Sequence, residues 1–359
     1  MKIGIFGLPL TGKTTVFSLL TNTQYDGSFK TNVEERVAKV IDSRIEKLSK
    51  MYDPKKTIFA TLNFLDIPSY DTEADKKEKT KIFQMLQTVD ALILTVRTFN
   101  NGSVPFPMGA QSALKQLEKQ ETEFIFRDLE VIENRLERLD AQKKKKKITK
   151  DEEREEQLIM MIKEHLENEE FASKAELSEE DKKIIGSLSL FTLKPIIVLA
   201  NLDEDQLQSN TFEYKEELIK KCENQNFGYI QLSGKIESDL VELDADEKEM
   251  FMTDYNIDEP GINKLAKAVY SNMGLLSFFT VGKDEVRAWT IKKGFNMKKA
   301  AGAIHSDLER GFIKAEMIKY EDLMRLGSEE EVKKAGLWKL AGKEDLVEDG
   351  DILHIRANP

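Results

Sequence analysis

The chemistry-bearing residues of this chain begin almost at its first position, in Gly7-Leu8-Pro9-Leu10-Thr11-Gly12-Lys13-Thr14, which has the spacing G-x-x-x-x-G-K-[ST]. Gly7 and Gly12 allow the backbone to turn and to approach a phosphate closely. The N–H groups from Leu10 and Thr11 through Gly12, Lys13, Thr14 and Thr15 can then converge on one anion-sized hollow at a helix N-terminus. Lys13 is expected to reach the β- and γ-phosphates of a nucleotide, and the Thr14 hydroxyl to ligate Mg2+. The pattern predicts a phosphate-binding P-loop if a strand precedes it and a helix follows.

A second group lies downstream. Thr57 to Ile67 alternates and ends apolar, as a strand entering a sheet would, and carries Asp66 at its C-terminal end. A carboxylate there, beside a P-loop, is placed to hold Mg2+, so Lys13, Thr14 and Asp66 are the candidate catalytic groups. In an Asp-x-x-Gly switch motif the glycine N–H touches the γ-phosphate; Ser69 occupies that position here. Thr31 is either an ordinary loop threonine or a further Mg2+ ligand. Ser233-Gly234-Lys235, after the strand Phe227 to Leu232, is either a base-contacting loop or a plain strand-end turn.

The elements that must position these groups follow from the pattern. Lys2 to Phe6 reads as a buried strand, and Thr15 to Leu20 continues as the P-loop helix. Thr21 to Lys30 is a polar loop, and Asp42 to Met51 a short surface helix. Val89 to Val96 and Pro195 to Ala200 are further buried strands. Strands separated by helices imply a parallel sheet covered on both faces. Between those last two strands, Ile125, Leu129, Ile132, Leu136 and Leu139 form a heptad seam, and Leu158, Ile162 and Leu166 continue an apolar stripe. The expectation is an antiparallel helical hairpin projecting roughly 45 Å. Lys143 to Lys147 would stand at its tip, either as a solvated turn or as an RNA or ribosome contact. Ser178 opens a last helix of the insert, and Leu240 to Tyr270 is helical with a break at Pro260-Gly261.

From about Phe278 the pattern changes. Val286 to Ile291, Phe312 to Ile318 and Asp351 to Arg356 read as strands, with a helix over Met297 to Ile304, in a β-grasp-like order. The expected domains are thus a nucleotide-binding domain in two parts, 1–110 and 191–277, a helical insert, 111–190, and a C-terminal domain, 278–359.

Composition bounds the rest. The chain has 359 residues, a hydrophobic fraction of 40%, a charged fraction of 33% and a formal net charge of -11. That balance argues against a protein that coats nucleic acid with its whole surface, though not against a local basic patch. No apolar run approaches the roughly 18 to 20 residues of a membrane span. The single cysteine, Cys222, excludes an internal disulfide framework and points to a structural thiol in a cytoplasmic protein. His165, His305 and His354 lack metal-ligand spacing, so Mg2+ is the only metal expected. Trp289 and Trp338 are expected as core anchors.

The P-loop, Asp66, Asn201-Leu202-Asp203-Glu204, the helical insert, and the runs Glu285 to Thr290 and Ala303 to Ile313 together resemble the YchF subfamily of Obg-like P-loop NTPases, of the TRAFAC class. The resemblance covers essentially the whole chain and implies a P-loop G-domain with a coiled-coil hairpin and a C-terminal TGS-like domain. It further implies a cytoplasmic hydrolase of ATP or GTP, acting with Mg2+ and associated with ribosomes, with ribosome or RNA met through the insert and the TGS-like domain. The alternative is a nucleotide-gated adaptor with little or no hydrolysis. In a guanine-reading Asn-Lys-x-Asp loop the aspartate accepts from N1 and N2 of guanine; here Leu202 and Glu204 replace the lysine and aspartate, which favours ATP. Asn201, Leu202, Glu204, Ser233, Gly234 and Lys235 are accordingly expected around the base. Several residues depart from the family pattern: Leu10-Thr11 in place of Asn-Val, Ser69 in place of glycine, Tyr70 in place of an apolar residue, and no histidine in Asn100 to Met108. They cluster about the γ-phosphate, so binding is expected to be firmer than turnover. No oligomeric state follows from the sequence.

Overall fold

The computed structural model describes residues 1–23, 33–69, 76–102, 104–107, 109–255 and 257–358. Its strands are β1 Lys2–Phe6, β2 Glu34–Lys39, β3 Lys56–Ile58, β4 Thr61–Asp66, β5 Ala91–Arg97, β6 Ile196–Asn201, β7 Gly228–Leu232, β8 Leu275–Thr280, β9 Glu285–Lys292, β10 Phe312–Lys319, β11 Lys339–Ala341 and β12 Asp351–Ala357. They form two six-stranded sheets, ordered β2-β4-β1-β5-β6-β7 and β11-β10-β12-β8-β9-β3. The chain divides into two compact units, one of Met1–Arg36 with Asn63–Leu265, the other of Val37–Leu62 with Ala266–Pro359.

In the first unit β4, β1, β5, β6 and β7 are parallel. Every residue of β5 and β6 is buried, as continuous apolar strands covered on both faces must be. The register sets Ile5 beside Asp66 and Phe6 beside Leu94, so the loop that leaves β1 opens at the carboxyl edge of the sheet with Asp66 next to it. Ligands of open α/β sheets bind at that edge.

The insert is an antiparallel hairpin of helices Ala113–Lys144 and Lys150–Glu167. Ile132, Leu139, Leu158, Ile162 and Leu166 are buried in one cluster, with Ile125, Leu129 and Leu136 packed against it, so the heptad seam is the contact surface. Arg135 bridges the two helices, its Nη2 lying 2.6 Å from Glu155. The turn is closed by a capping box between Thr149 and Glu152. At the base, the Asp128 carboxylate accepts from Phe191 N at 3.0 Å, Thr192 N at 2.8 Å and Thr192 Oγ1 at 2.6 Å. Phe124 stacks on Phe191, centroids 5.5 Å apart. The hairpin is therefore rooted in the core of the sheet.

In the second unit β8 and β9 are antiparallel, as are β10 and β12, while β12 lies parallel to β8. Helix Met297–Ile304 buries Met297, Ala300 and Ala301 against the sheet, giving the β-grasp-like order read from the sequence. Trp289 packs on that core and donates Nε1 to Thr280 Oγ1 at 2.9 Å, and Trp338 stacks on His354.

One element departs from expectation. Thr57 to Ile67, read as a single strand, is two: β3 pairs in parallel with β9 of the second sheet, and β4 enters the first. Residues 37–62, expected with the nucleotide-binding part, pack in the second unit. The reason is that alternation marks which face of a strand is buried but not which neighbour it joins.

Candidate nucleotide-binding site

The P-loop adopts a conformation that requires glycine at two of its positions. Gly12 has φ +92 and Leu10 φ +63. A Cβ on Gly12 would lie 2.2 Å from the Asn201 side-chain amide nitrogen, and one on Gly7 would lie 2.4 Å from the Thr95 carbonyl oxygen. Both glycines are therefore required by close packing. Thr11 is fully buried and its hydroxyl donates to the Leu8 carbonyl at 3.0 Å, which pins the loop. Helix Lys13–Thr21 starts at Gly12 with no side-chain cap, so its first N–H groups are left for an anion.

Lys13 is 8% exposed, and its ammonium donates to the Ser69 hydroxyl, which in turn donates to the Gly7 carbonyl at 3.0 Å. Burial pushes the Lys13 ammonium down to about 8, with the nearby Asp66 opposing the shift. Lys13, Thr14, Thr15, Asp66 and Ser69 line one cleft of about 660 Å³. The Thr14 hydroxyl and Asp66 carboxylate are the hard oxygen donors that Mg2+ takes, so these two residues fit the metal and would hold it. A bound Mg2+ would neutralise charge on the phosphates. Thr31 and Tyr70 lie outside the described residues.

Phe99, Asn101 and Val104 line the same cleft, and the segment Asn100 to Met108 holds no histidine. That segment is clamped by Arg97, which donates to the carbonyls of Phe99, Val104 and Pro105 at 3.0, 3.0 and 2.9 Å and stacks on Phe99 and Phe106. Arg97 is fully buried, and burial lowers its pKa. No motif in the sequence singles it out.

On the side expected to meet the base, residues fall into different roles. Asn201 is 5% exposed and both ends of its amide are engaged: Nδ2 donates to the Thr11 carbonyl at 3.0 Å, and Oδ1 accepts from Gly234 N at 3.0 Å. It ties the P-loop to the loop after β7. Leu202 was expected at the base, but its side chain is a core residue, 2% exposed. Glu204 is exposed in the first turn of helix Glu204–Ser209, where it accepts from the Tyr255 hydroxyl. Ser233 is buried and caps helix Gly234–Glu242, and the exposed Lys235 pairs with Asp239. Asp203, not among the expected contacts, caps its helix through Gln206 N at 2.9 Å.

Residues 275–358 match the family described as YchF-GTPase_C, Protein of unknown function (DUF933). Over its whole length the chain is 37% identical to the Ribosome-binding ATPase YchF of Bacillus subtilis (strain 168), covering 99% of that protein. This chain belongs to the YchF family. The Ribosome-binding ATPase YchF of Haemophilus influenzae is 34% identical, with 99% of each chain covered. The solved structure of the Schizosaccharomyces pombe YchF GTPase superposes with a TM-score of 0.84 at 29% identity, covering 99% of this chain and 97% of that one. The match carries the same α/β fold, with its helical insert and C-terminal domain.

Outside the cleft, the other candidate groups have structural places. Burial pushes the Cys222 thiol up to about 12, with Glu121 and Glu223 adding to the shift. His165 meets Glu170, His305 meets Asp307 and His354 meets Glu329, each on a different element. Among the described residues no three metal-ligating side chains gather. No helix among them is long and apolar enough to cross a membrane.

Proposed function

We propose that this YchF-family chain binds a nucleoside triphosphate with Mg2+ and hydrolyses it slowly, preferring ATP to GTP, as a ribosome-associated regulatory factor. The observation that carries the reading is the joint placement of Lys13, Thr14 and Asp66 in one cleft at the N-terminus of an uncapped helix. In it Lys13 and the loop amides stabilise charge on the phosphates, while Thr14 and Asp66 place the metal. Glu204, a longer carboxylate than the guanine-reading aspartate and held by Tyr255, supports the preference for ATP. The names of the relatives, ATPase in two bacteria and GTPase in a yeast, support hydrolysis of a nucleotide.

The ribosome contact is assigned to the hairpin tip and the C-terminal domain. At the tip Lys143 pairs with Glu156 and Lys144 with Asp140, whereas Lys145, Lys146 and Lys147 are exposed and have no carboxylate partner among the described residues. Three unpaired cations on a projecting turn suit a phosphate backbone.

A second reading, a nucleotide-gated adaptor with vestigial hydrolysis, is favoured by the Ser69 hydroxyl on Lys13 and by the lack of a histidine between Asn100 and Met108. Titration of nucleotide-free protein with labelled ATP and GTP, with phosphate release followed in the same samples, separates the readings. Tighter ATP binding with release supports the first, binding without release the second, and tighter GTP binding overturns the assignment of Glu204.

A further inference from the structure

Ser69 stands where an Asp-x-x-Gly motif carries glycine, and its hydroxyl has taken a place on the P-loop itself. It accepts from Lys13 Nζ and donates to the Gly7 carbonyl at 3.0 Å. Glycine can make neither contact. Lys13 is 8% exposed, so little water is available to satisfy its ammonium, and the hydroxyl is a partner that an incoming phosphate must replace. The P-loop lysine reaches both the β- and γ-phosphates. The residue at this position of an Asp-x-x-Gly motif meets the γ-phosphate.

We propose that Ser69 determines specificity for phosphate-chain length: its hydroxyl holds Lys13 at the motif position that meets the γ-phosphate, so a nucleoside triphosphate competes with it through both phosphates that Lys13 reaches and a diphosphate through one. This inference rests on the nucleotide-binding reading above. The serine bridges Lys13 and the Gly7 carbonyl and narrows the preference for triphosphate over diphosphate that a glycine would permit.

The experiment is equilibrium binding of labelled ATP and ADP, with Mg2+, to the wild-type chain and to Ser69→Ala, Ser69→Gly and Ser69→Thr. Loss of the hydroxyl in the first two is expected to tighten ATP binding about tenfold or more and ADP binding clearly less, as for one hydrogen bond to a charged group. Ser69→Thr keeps a hydroxyl and should keep the wild-type ratio, which holds the test open if either smaller variant unfolds. An ATP-to-ADP ratio unchanged in Ser69→Ala and Ser69→Gly, or a weaker ATP affinity, overturns the inference alone. A wild-type chain that binds neither nucleotide overturns the nucleotide-binding reading together with it.

Discussion

The Asn201 side chain donates to the Thr11 carbonyl at 3.0 Å and accepts from Gly234 N at 3.0 Å, so one buried amide joins the P-loop to the loop after β7. The P-loop and the loop proposed to meet the base are thereby coupled through a single side chain. Asn201→Ala leaves a buried donor and a buried acceptor without partners, at about 1–3 kcal/mol each. It is expected to lower the unfolding free energy by about 2 kcal/mol or more and to weaken ATP binding at least tenfold. Urea unfolding and nucleotide titration check this; full affinity in a destabilised variant would show that the tie serves folding alone.

The pH dependence of binding follows from Lys13. Its folded-state pKa is lowered to about 8 from the ordinary 10.5, chiefly by burial, so the ammonium loses its proton as pH rises through 8. The unfolded chain binds the extra proton between those two values, so this group adds stability as pH rises across that window. Binding needs the ammonium and therefore runs the other way: ATP affinity should fall above about pH 8, by up to tenfold per pH unit, with a proton taken up on binding. Titration calorimetry in two buffers of different ionisation enthalpy measures that uptake, and affinity constant to about pH 9.5 would remove Lys13 as a desolvated phosphate ligand.

Removal of the metal is the next expectation. Chelation of Mg2+ should abolish phosphate release, and Asp66→Ala and Thr14→Ala should each lower the release rate by about tenfold or more, the scale of one lost transition-state contact. Mg2+ titration of the release rate checks it; equal activity with and without chelator would reject the assignment of these two residues.

Asp128 roots the helical hairpin. Burial pushes its carboxyl up to about 6, against hydrogen bonds from Thr192 and Phe191 that favour the charged form. A raised acid pKa means that the folded state keeps the proton longer, so its contribution to stability falls as pH rises from the ordinary 3.8 towards 6. Asp128→Asn should lose that pH dependence. Asp128→Ala strands two backbone N–H groups and should cost about 3 kcal/mol in chemical unfolding.

Ribosome association through the hairpin tip predicts a salt-dependent contact. Replacing Lys145, Lys146 and Lys147 together with alanine should reduce co-sedimentation with ribosomes and flatten its salt dependence, with ATP affinity unchanged. Undiminished co-sedimentation would move the contact to another surface.

Much of this was legible from local pattern. The P-loop is contiguous, and its chemistry depends on residue order, so Gly12, Lys13 and Thr14 could be read without a fold. The heptad seam and the buried runs of β1, β5 and β6 were legible because a side chain's period reports the face it buries.

Other relationships could be decided only by tertiary structure. Ser69 and Lys13 are 56 positions apart, and Thr11 and Asn201 are 190 apart. No local pattern encodes a side-chain hydrogen bond over such separations. Leu202 occupies a position in a base-reading motif yet turns into the core, because the strand's alternation, not the motif, sets its direction. The division of Thr57 to Ile67 between two sheets has the same origin: a strand's neighbours are chosen by which distant backbone offers its hydrogen bonds, and the sequence specifies only that some backbone must.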